Sequence, residues 1–331
     1  ESIPEYLTCS LGGTDLKITN LYVGKNVKKI GYEAFYAGRY ADTIVWNVEA
    51  LGEDHQDGYQ LTLGENTKLF FGEDVKEIPV KFLLNSNTNL LHIEIPNNVV
   101  VIGNSAFKGC SNLTSVNLGK NISIIGRTAF QDCSGLTSIV IPESVTSIEA
   151  SAFYGCSSLN STYYTGTITQ WCNIDFGDTS ANPISCSKKL NINNQFVTEL
   201  IIPDGVANIK NYAFANCSSL ISVTIPESVT NVGEETFKGC TSIASVSWNA
   251  KNCADFTSAP FYTTPSQVSS FIFGHSVQHI PAYLCDGMNQ LTDIIIPRSV
   301  ESIGQGAFLG CSSLTSTHYT GTITQWCNIN F

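Results

Sequence analysis

Cationic side chains are scarce: 17 Lys plus Arg stand against 28 Asp plus Glu, for a net charge of −11. Such a chain has few groups with which to displace counterions from a phosphate backbone. Lys25, Lys28 and Lys29 do not extend into a basic run, so nucleic acid is excluded as a partner. Long apolar runs are missing as well. No stretch of 18 apolar residues occurs, which excludes membrane insertion through a helix. The opening ESIPEYLTCS has neither the basic start nor the apolar run of an export signal, so any signal or anchor segment is expected to be absent from this chain. Disorder is excluded by the 43% hydrophobic content, which at 331 residues is enough to bury a core.

Catalytic and metal signatures are also lacking. There is no G-x-S-x-G elbow and no P-loop, since LGKN has no spaced first glycine. No C-x2-C pair appears, which argues against a zinc site. Glu53, Asp54 and Asp57 in GEDHQDGY lack the alternating spacing of a calcium loop and read as a polar excursion. His275 and His279 would chelate from a helix. Their segment reads as a strand, where four residues span about 13 Å, too far for one ion. Serines cluster in CSSL and SVTS, turn positions where the hydroxyl satisfies local backbone groups. The expectation is therefore a non-enzyme without metal or cofactor, because near-identical units offer no single place where unusual titratable groups converge.

What the sequence does have is a period. Cys110, Cys133 and Cys156 are 23 residues apart, as are Cys217 and Cys240, and Phe107, Phe130, Phe153 and Phe214, Phe237 keep the same step. Counting from the Cys, apolar residues recur at +3, +6, +8, +12, +15, +19 and +20; in one unit these are Cys133, Leu136, Ile139, Ile141, Val145, Ile148, Ala152 and Phe153. The step from +6 to +8 is strand alternation, and Pro at +9 (Pro142, Pro226) ends the strand because it cannot donate to a ladder. A second short extended run, VTSI, follows. The stretch GxxAFxGC is too short for a stable helix and predicts a compact turn or a single 3₁₀ turn. A 23-residue coil cannot enclose its own apolar face, so neighbouring coils must stack into a repeat solenoid with a parallel sheet.

Irregular regions obey the same arithmetic. Trp46 to Phe71 and Trp248 to Phe273 both span 25 residues, and Phe35, Trp46, Gly72 and Pro79 map onto Phe237, Trp248, Gly274 and Pro281 at an offset of 202. Residues 164–201 read as a coil carrying an insertion. The expected organisation is a single continuous solenoid over residues 1–331 with roughly 13 coils of about 4.8 Å each. Cys156–Phe176 and Cys311–Phe331 agree at 18 of 21 positions, and Ile18–Phe35 matches Val197–Phe214 at an offset of 179. The chain thus begins just after one coil type and ends partway through it, so both ends are expected to be cut within a longer array.

The segments IPESVTSIEASAFYGCSSLNS, IPESVTNVGEETFKGCTSIAS and IPRSVESIGQGAFLGCSSLTS resemble the BspA-type leucine-rich repeat, the 23-residue class of bacterial surface proteins. The resemblance covers nearly the whole chain, with Gly24 and Gly119 standing where the Pro belongs. It implies a right-handed leucine-rich-repeat superhelix, export to the cell surface or secretion, and non-catalytic adhesion to host or extracellular matrix proteins. It fixes no binding residues.

The repeated cysteines Cys110, Cys133, Cys156, Cys217, Cys240 and Cys311 are expected inward as small buried hydrophobes, because parallel Cβ vectors at the rung spacing do not suit a disulfide. Cys172 and Cys186 either pair with each other or stay free, and Cys327 has no downstream partner. Outward strand positions give Thr114, Ser115 and Asn117, then Thr137 and Ser138, then Ile221, Ser222 and Thr224, a hydroxyl-rich face. Either this face merely solvates the sheet or it docks a ligand. In the second case Tyr163 and His318 are the natural anchors beside Thr114 and Asn117, with Trp171 and Trp326 joining them unless they belong to the core. Two functions follow: binding of an extracellular protein, or carbohydrate binding with the Tyr and Trp of the inserted coils as stacking platforms.

Overall fold

The computed structural model describes residues 2–3, 18–30, 41–51, 61, 63–64, 67–85, 90–261 and 267–331. Phe35, Cys9 and the acids Glu53, Asp54 and Asp57 lie outside the described residues. The chain divides into two compact units, one of residues 1–166 with 180–187 and the other of residues 167–179 with 188–331. Each is a parallel β-solenoid with few helices.

In the first unit the strands His92–Glu94, Ser115–Asn117, Ser138–Ile141 and Ser161–Tyr164 form one parallel ladder. The register pairs Ser115 with Ser138 and Ser138 with Ser161, the 23-residue step of the sequence. A second ladder of two-residue strands joins Glu77–Ile78, Val101–Ile102, Ile124–Ile125 and Ser147–Ile148. Ile18–Val23, Ala41–Trp46 and Lys68–Phe71 form a further parallel sheet in which Trp46 pairs with Phe71, as the 25-residue spacing requires. The second unit repeats the plan. Glu199–Ile201, Ser222–Ile225, Ser245–Trp248 and Ser270–Phe273 are parallel, with Trp248 beside Phe273, and Asp293–Ile296 pairs with Ser316–Tyr319.

The inward face is the one the period selects. Cys133, Leu136, Ile139, Ile141, Val145, Ile148, Ala152 and Phe153 are all buried, each aliphatic or aromatic side chain contributing about 1.5–3 kcal/mol by leaving water. Phenylalanines stack in columns: Phe107 on Phe130 at 5.3 Å and Phe130 on Phe153 at 5.4 Å in the first unit, Phe214 on Phe237 at 5.7 Å in the second. The described cysteines are free thiols in both units. Column sulfhydryls donate to a carbonyl of the coil before them: Cys133 to Phe107 and Cys156 to Phe130 in one unit, Cys240 to Phe214 and Cys311 to Cys285 in the other, at 3.1–3.2 Å, while Cys217 meets the Ser219 hydroxyl at 3.4 Å. A small apolar side chain with one weak donor suits a site that offers one carbonyl.

The turn side is not a 3₁₀ helix, for a reason visible in its hydrogen bonds. Ala106, Lys108 and Cys110 donate three residues back, to Gly103, Ser105 and Phe107, while the intervening Ser105, Phe107 and Gly109 donate forward to Arg127, Ala129 and Gln131 of the next coil. Alternate N–H groups therefore serve the coil and its neighbour, which satisfies a buried backbone that a lone turn would leave short. This alternation requires left-handed backbone at two positions per coil. At the position just before the Cys these are Asn85, Gly109, Asp132 and Gly155, and in the second unit Asn216 and Gly239. Where Asx precedes Gly in this column, a Cβ at Gly155 would lie 2.2 Å from the Asp132 carboxylate and one at Gly239 2.3 Å from the Asn216 amide, whereas Gly287 and Gly310 bring glycine against glycine. In the Asx–Gly pairs the side chain of one coil fills the space only glycine leaves in the next.

The inserted segment is split between the units. In the first, Ser180 accepts from Phe153 N–H, Cys186 donates to Phe153 O at 3.2 Å, and Ser187 shares a 2.8 Å hydroxyl contact with Thr162. The short helix Ile184–Ser187 thus continues the cysteine column, with Cys186 a free thiol. In the second unit the helix Ile168–Trp171 is closed by a capping box between Thr167 and Gln170. An antiparallel hairpin, Leu190–Ile192 with Gln195–Phe196, turns through Asn193 and Asn194, both left-handed, as a two-residue hairpin demands.

Candidate interaction surface

Strand alternation decides which side chains face outward. In Ser138–Ile141, Ile139 and Ile141 are buried while Ser138 is half-buried and Val140 exposed. Aligned on the cysteine, the +5 position is serine at Ser115, Ser138 and Ser161 in the first unit and at Ser222, Ser245, Ser270 and Ser316 in the second, but His92, Glu199 and Asp293 stand in the same register, as do Asn20, Thr43 and Lys68 on the Trp46 sheet. The +7 position two residues on varies in every chemical sense. In the first unit it reads Glu94, Asn117, Val140 and Tyr163, and on the Trp46 sheet Tyr22, Val45 and Phe70. In the second it reads Ile201, Thr224, Ser247 and Ile272, then Ile295 and His318.

The residues singled out in the sequence are distributed as follows. Thr114 is exposed, but its hydroxyl donates to Leu91 O at 2.7 Å, and Thr137 repeats the contact on Thr114 O at 3.2 Å, so this column ties coil to coil. Asn117 is exposed and Tyr163 half-buried, both outward at +7, and His318 is exposed at the same position in the second unit. Trp171 is a correction to its reading as a platform. It is 0% exposed, and its indole N–H donates to Ala213 O at 2.7 Å. Elsewhere that carbonyl position takes the backbone N–H of the preceding coil's phenylalanine, as Ala129 takes Phe107; the insertion replaces that donor with an indole. Trp326 is half-buried and packs against Tyr319 at 5.2 Å and Phe331 at 5.7 Å.

Apart from Ile221, 51% exposed and expected outward, the sequence reading does not pick out the apolar side chains of the outward face. Tyr22 and Phe70 in the first unit, and Ile201, Ile272 and Ile295 in the second, are all more than half exposed. SIVIP and DIIIP read as continuous core in a hydropathy count, and only the period of two reveals that the middle residue points away.

Titratable chemistry on the molecule is structural. Burial pushes the thiols of Cys172 and Cys253 up to about 12 and raises those of Cys133, Cys240 and Cys285 well above the ordinary thiol range, so they stay protonated and are poor nucleophiles. His279 bonds Ser302 at 2.7 Å and Asp255 at 2.8 Å. Asp255 also accepts from Ala282 N–H, the main cause of a lowered carboxylate pKa. Among the described residues no group of three His, Cys, Asp or Glu gathers as a metal site, and no helix is long and apolar enough to cross a membrane.

A leucine-rich repeat protein from Bacteroides ovatus is similar to this chain at 21% identity over 90% of this chain and 80% of its own, with a TM-score of 0.56, which shows the fold alone. A leucine rich cell surface protein from Faecalibacterium prausnitzii aligns at 19% identity over 95% and 91%, TM-score 0.33. The pneumococcal vaccine antigen PcpA aligns at 15% over 95% and 81%, TM-score 0.43. No curated protein matches. The model of the BspA type leucine rich repeat region matches six copies over residues 76–196 and 192–315. With more than half its length matched and its coils stacked in register, the chain belongs to the BspA-type leucine-rich repeat family.

Proposed function

We propose that this protein is a non-catalytic module that binds an extracellular protein through the outward strand faces of its two units, at a cell surface or after secretion. One observation carries the reading. Residues that face inward repeat, whereas the outward position at +7 runs through Asn117, Val140, Tyr163, Thr224, Ser247, Ile272, Ile295 and His318. Stacking requires constancy at the inner positions; it makes no demand at +7. Exposed aliphatic and aromatic residues there supply the apolar contact that protein interfaces use. Adhesion to host or matrix proteins is the particular form that family membership favours.

The test is a binding screen against purified extracellular proteins, followed by substitution of the outward residues. Val140→Asp, Tyr163→Ala and Ile272→Ser are expected to weaken a genuine partner by tenfold or more, singly or in combination. Lys108→Ala and Lys238→Ala on the turn side are expected to change it less than twofold. Equal effects on both sides would contradict the reading.

Carbohydrate binding survives as a second reading on different residues. With Trp171 in the core, the stacking platforms would be Tyr22 and Phe70, exposed on strands two apart in the first unit, with Tyr163 in the same outward column. Glycan-array binding abolished by Phe70→Ala would favour it.

A further inference from the structure

Three isoleucines of the second unit, at 57–60% exposure, sit on its outward strand face: Ile201, Ile272 and Ile295. Ile201, Thr224, Ser247 and Ile272 are in register across four parallel strands, so two aliphatic side chains flank a floor of hydroxyls about 14 Å across at the usual strand spacing. The strand carrying Ile295 follows at the next coil, in contact with the Ile272 strand. Isolated exposed aliphatics need no explanation, but several on one face of one sheet do.

The charges on this face have one sign. Among the outward positions of these strands the ionised groups are Glu199 and Asp293, both exposed, and none is Lys or Arg. Neither carboxylate has a cation opposite it in its strand ladder: Glu199 pairs with Ser222 and Asp293 with Ser316. A partner that covered the isoleucines would bring its own rim against these carboxylates, and like charge there would be repelled.

Building on the strand-face reading above, we propose that the second unit docks a protein segment whose aliphatic side chains are flanked by lysine or arginine. The isoleucines supply the desolvated centre and Glu199 and Asp293 the polar rim. An acidic segment, or one without aliphatic residues, is rejected.

The probe is a fluorescent 14-residue amphipathic Leu/Lys peptide, with Leu/Glu and Gln/Lys peptides of the same length beside it, titrated with the whole chain at 150 mM salt. Binding of the Leu/Lys peptide alone is expected. Ile272→Asp with Ile295→Asp should weaken it at least tenfold although the protein becomes more negative; Ile272→Ser with Ile295→Ser, which copies the neighbouring Ser247, should do the same and guards against misfolding. Thr241→Asp, which adds the same charge on the exposed turn side, should leave it within twofold. Unchanged or tighter binding by the Asp pair would mean general attraction to an acidic protein and would overturn the proposal, as would equal binding of the Leu/Glu or Gln/Lys peptide or no binding at all. Should this fail while a protein partner from the screen still loses affinity on Ile272→Ser, the strand face stands and the partner's chemistry is wrong; insensitivity in both experiments removes the face itself.

Discussion

Two segments, Cys156–Phe176 and Cys311–Phe331, share 18 of 21 residues and live in different surroundings. Phe176 is 6% exposed and its twin Phe331 73%; Thr162 is fully buried and Thr317 exposed; Cys172 is buried and Cys327 exposed. Local structure is nevertheless the same. Both segments form a short helix with the same capping box, Thr167 with Gln170 and Thr322 with Gln325. What differs is the next layer. Trp171 meets Ala213 O, Lys210 N–H donates to Cys172 O at 2.9 Å, and the Lys210 ammonium reaches Asp175 at 2.8 Å. Asp175 is one of three positions at which the twins differ, and the neutral Asn330 stands in its place. Sequence sets the coil; the neighbouring coil sets its burial.

That contrast can be broken by substitution. The largest separation is expected between Trp171→Ala and Trp326→Ala. The first leaves a cavity and removes the indole hydrogen bond to Ala213 O, costing about 3–5 kcal/mol, whereas the second removes a half-buried ring and costs about 1 kcal/mol. Urea unfolding of the two variants reads the difference, and equal midpoints would undo the comparison. A smaller gap is expected from glycine. An added Cβ at Gly166 or Gly321 meets the ring of Tyr164 or Tyr319 within 2.7 Å. Tyr164 is buried and cannot swing away, so Gly166→Ala is expected to cost about 1–3 kcal/mol. Tyr319 is half-buried and yields, which places Gly321→Ala within about 0.5 kcal/mol of the parent. Thermal melts of both variants decide this.

Smaller still is the hydroxyl pair of Thr162 with Ser187. Thr162→Val is expected to cost about 1 kcal/mol and Thr317→Val about nothing, again by urea titration. The least effect at neutral pH comes from Tyr164, whose phenol is pushed up to about 12 by burial and then by the Glu143 carboxylate. Because the folded state holds this proton more tightly than the unfolded state, its contribution is intact below pH 10 and is lost as pH rises from about 10 to 12. An ultraviolet phenolate titration of the parent against Tyr164→Phe should lose one late-ionising group.

Much of this architecture is legible in the sequence. The 25-residue step from Trp46 to Phe71 became a register pair, and Phe130 stands on Phe153 as the period required. These features are readable because each coil repeats the same local instruction. The turn side was less legible: GxxAFxGC alone suggests a turn, but its alternating bonds depend on carbonyls 22 residues away. Trp171 was ambiguous because its partner, Ala213, lies 42 residues downstream across an insertion. Val140 and Ile295 were hidden for the opposite reason, since an outward aliphatic between two inward ones is indistinguishable from core by hydropathy alone.

The central claim is that burial is conferred by the stacked neighbour, and the twin cysteines test it most directly. The folded chain of residues 1–331, treated with iodoacetamide at pH 8 and analysed by mass spectrometry, should show Cys327 alkylated promptly. Cys172, together with Cys133, Cys156 and Cys240, should react only at the rate of unfolding. Alkylation of Cys172 as fast as Cys327 in the folded protein would contradict the account.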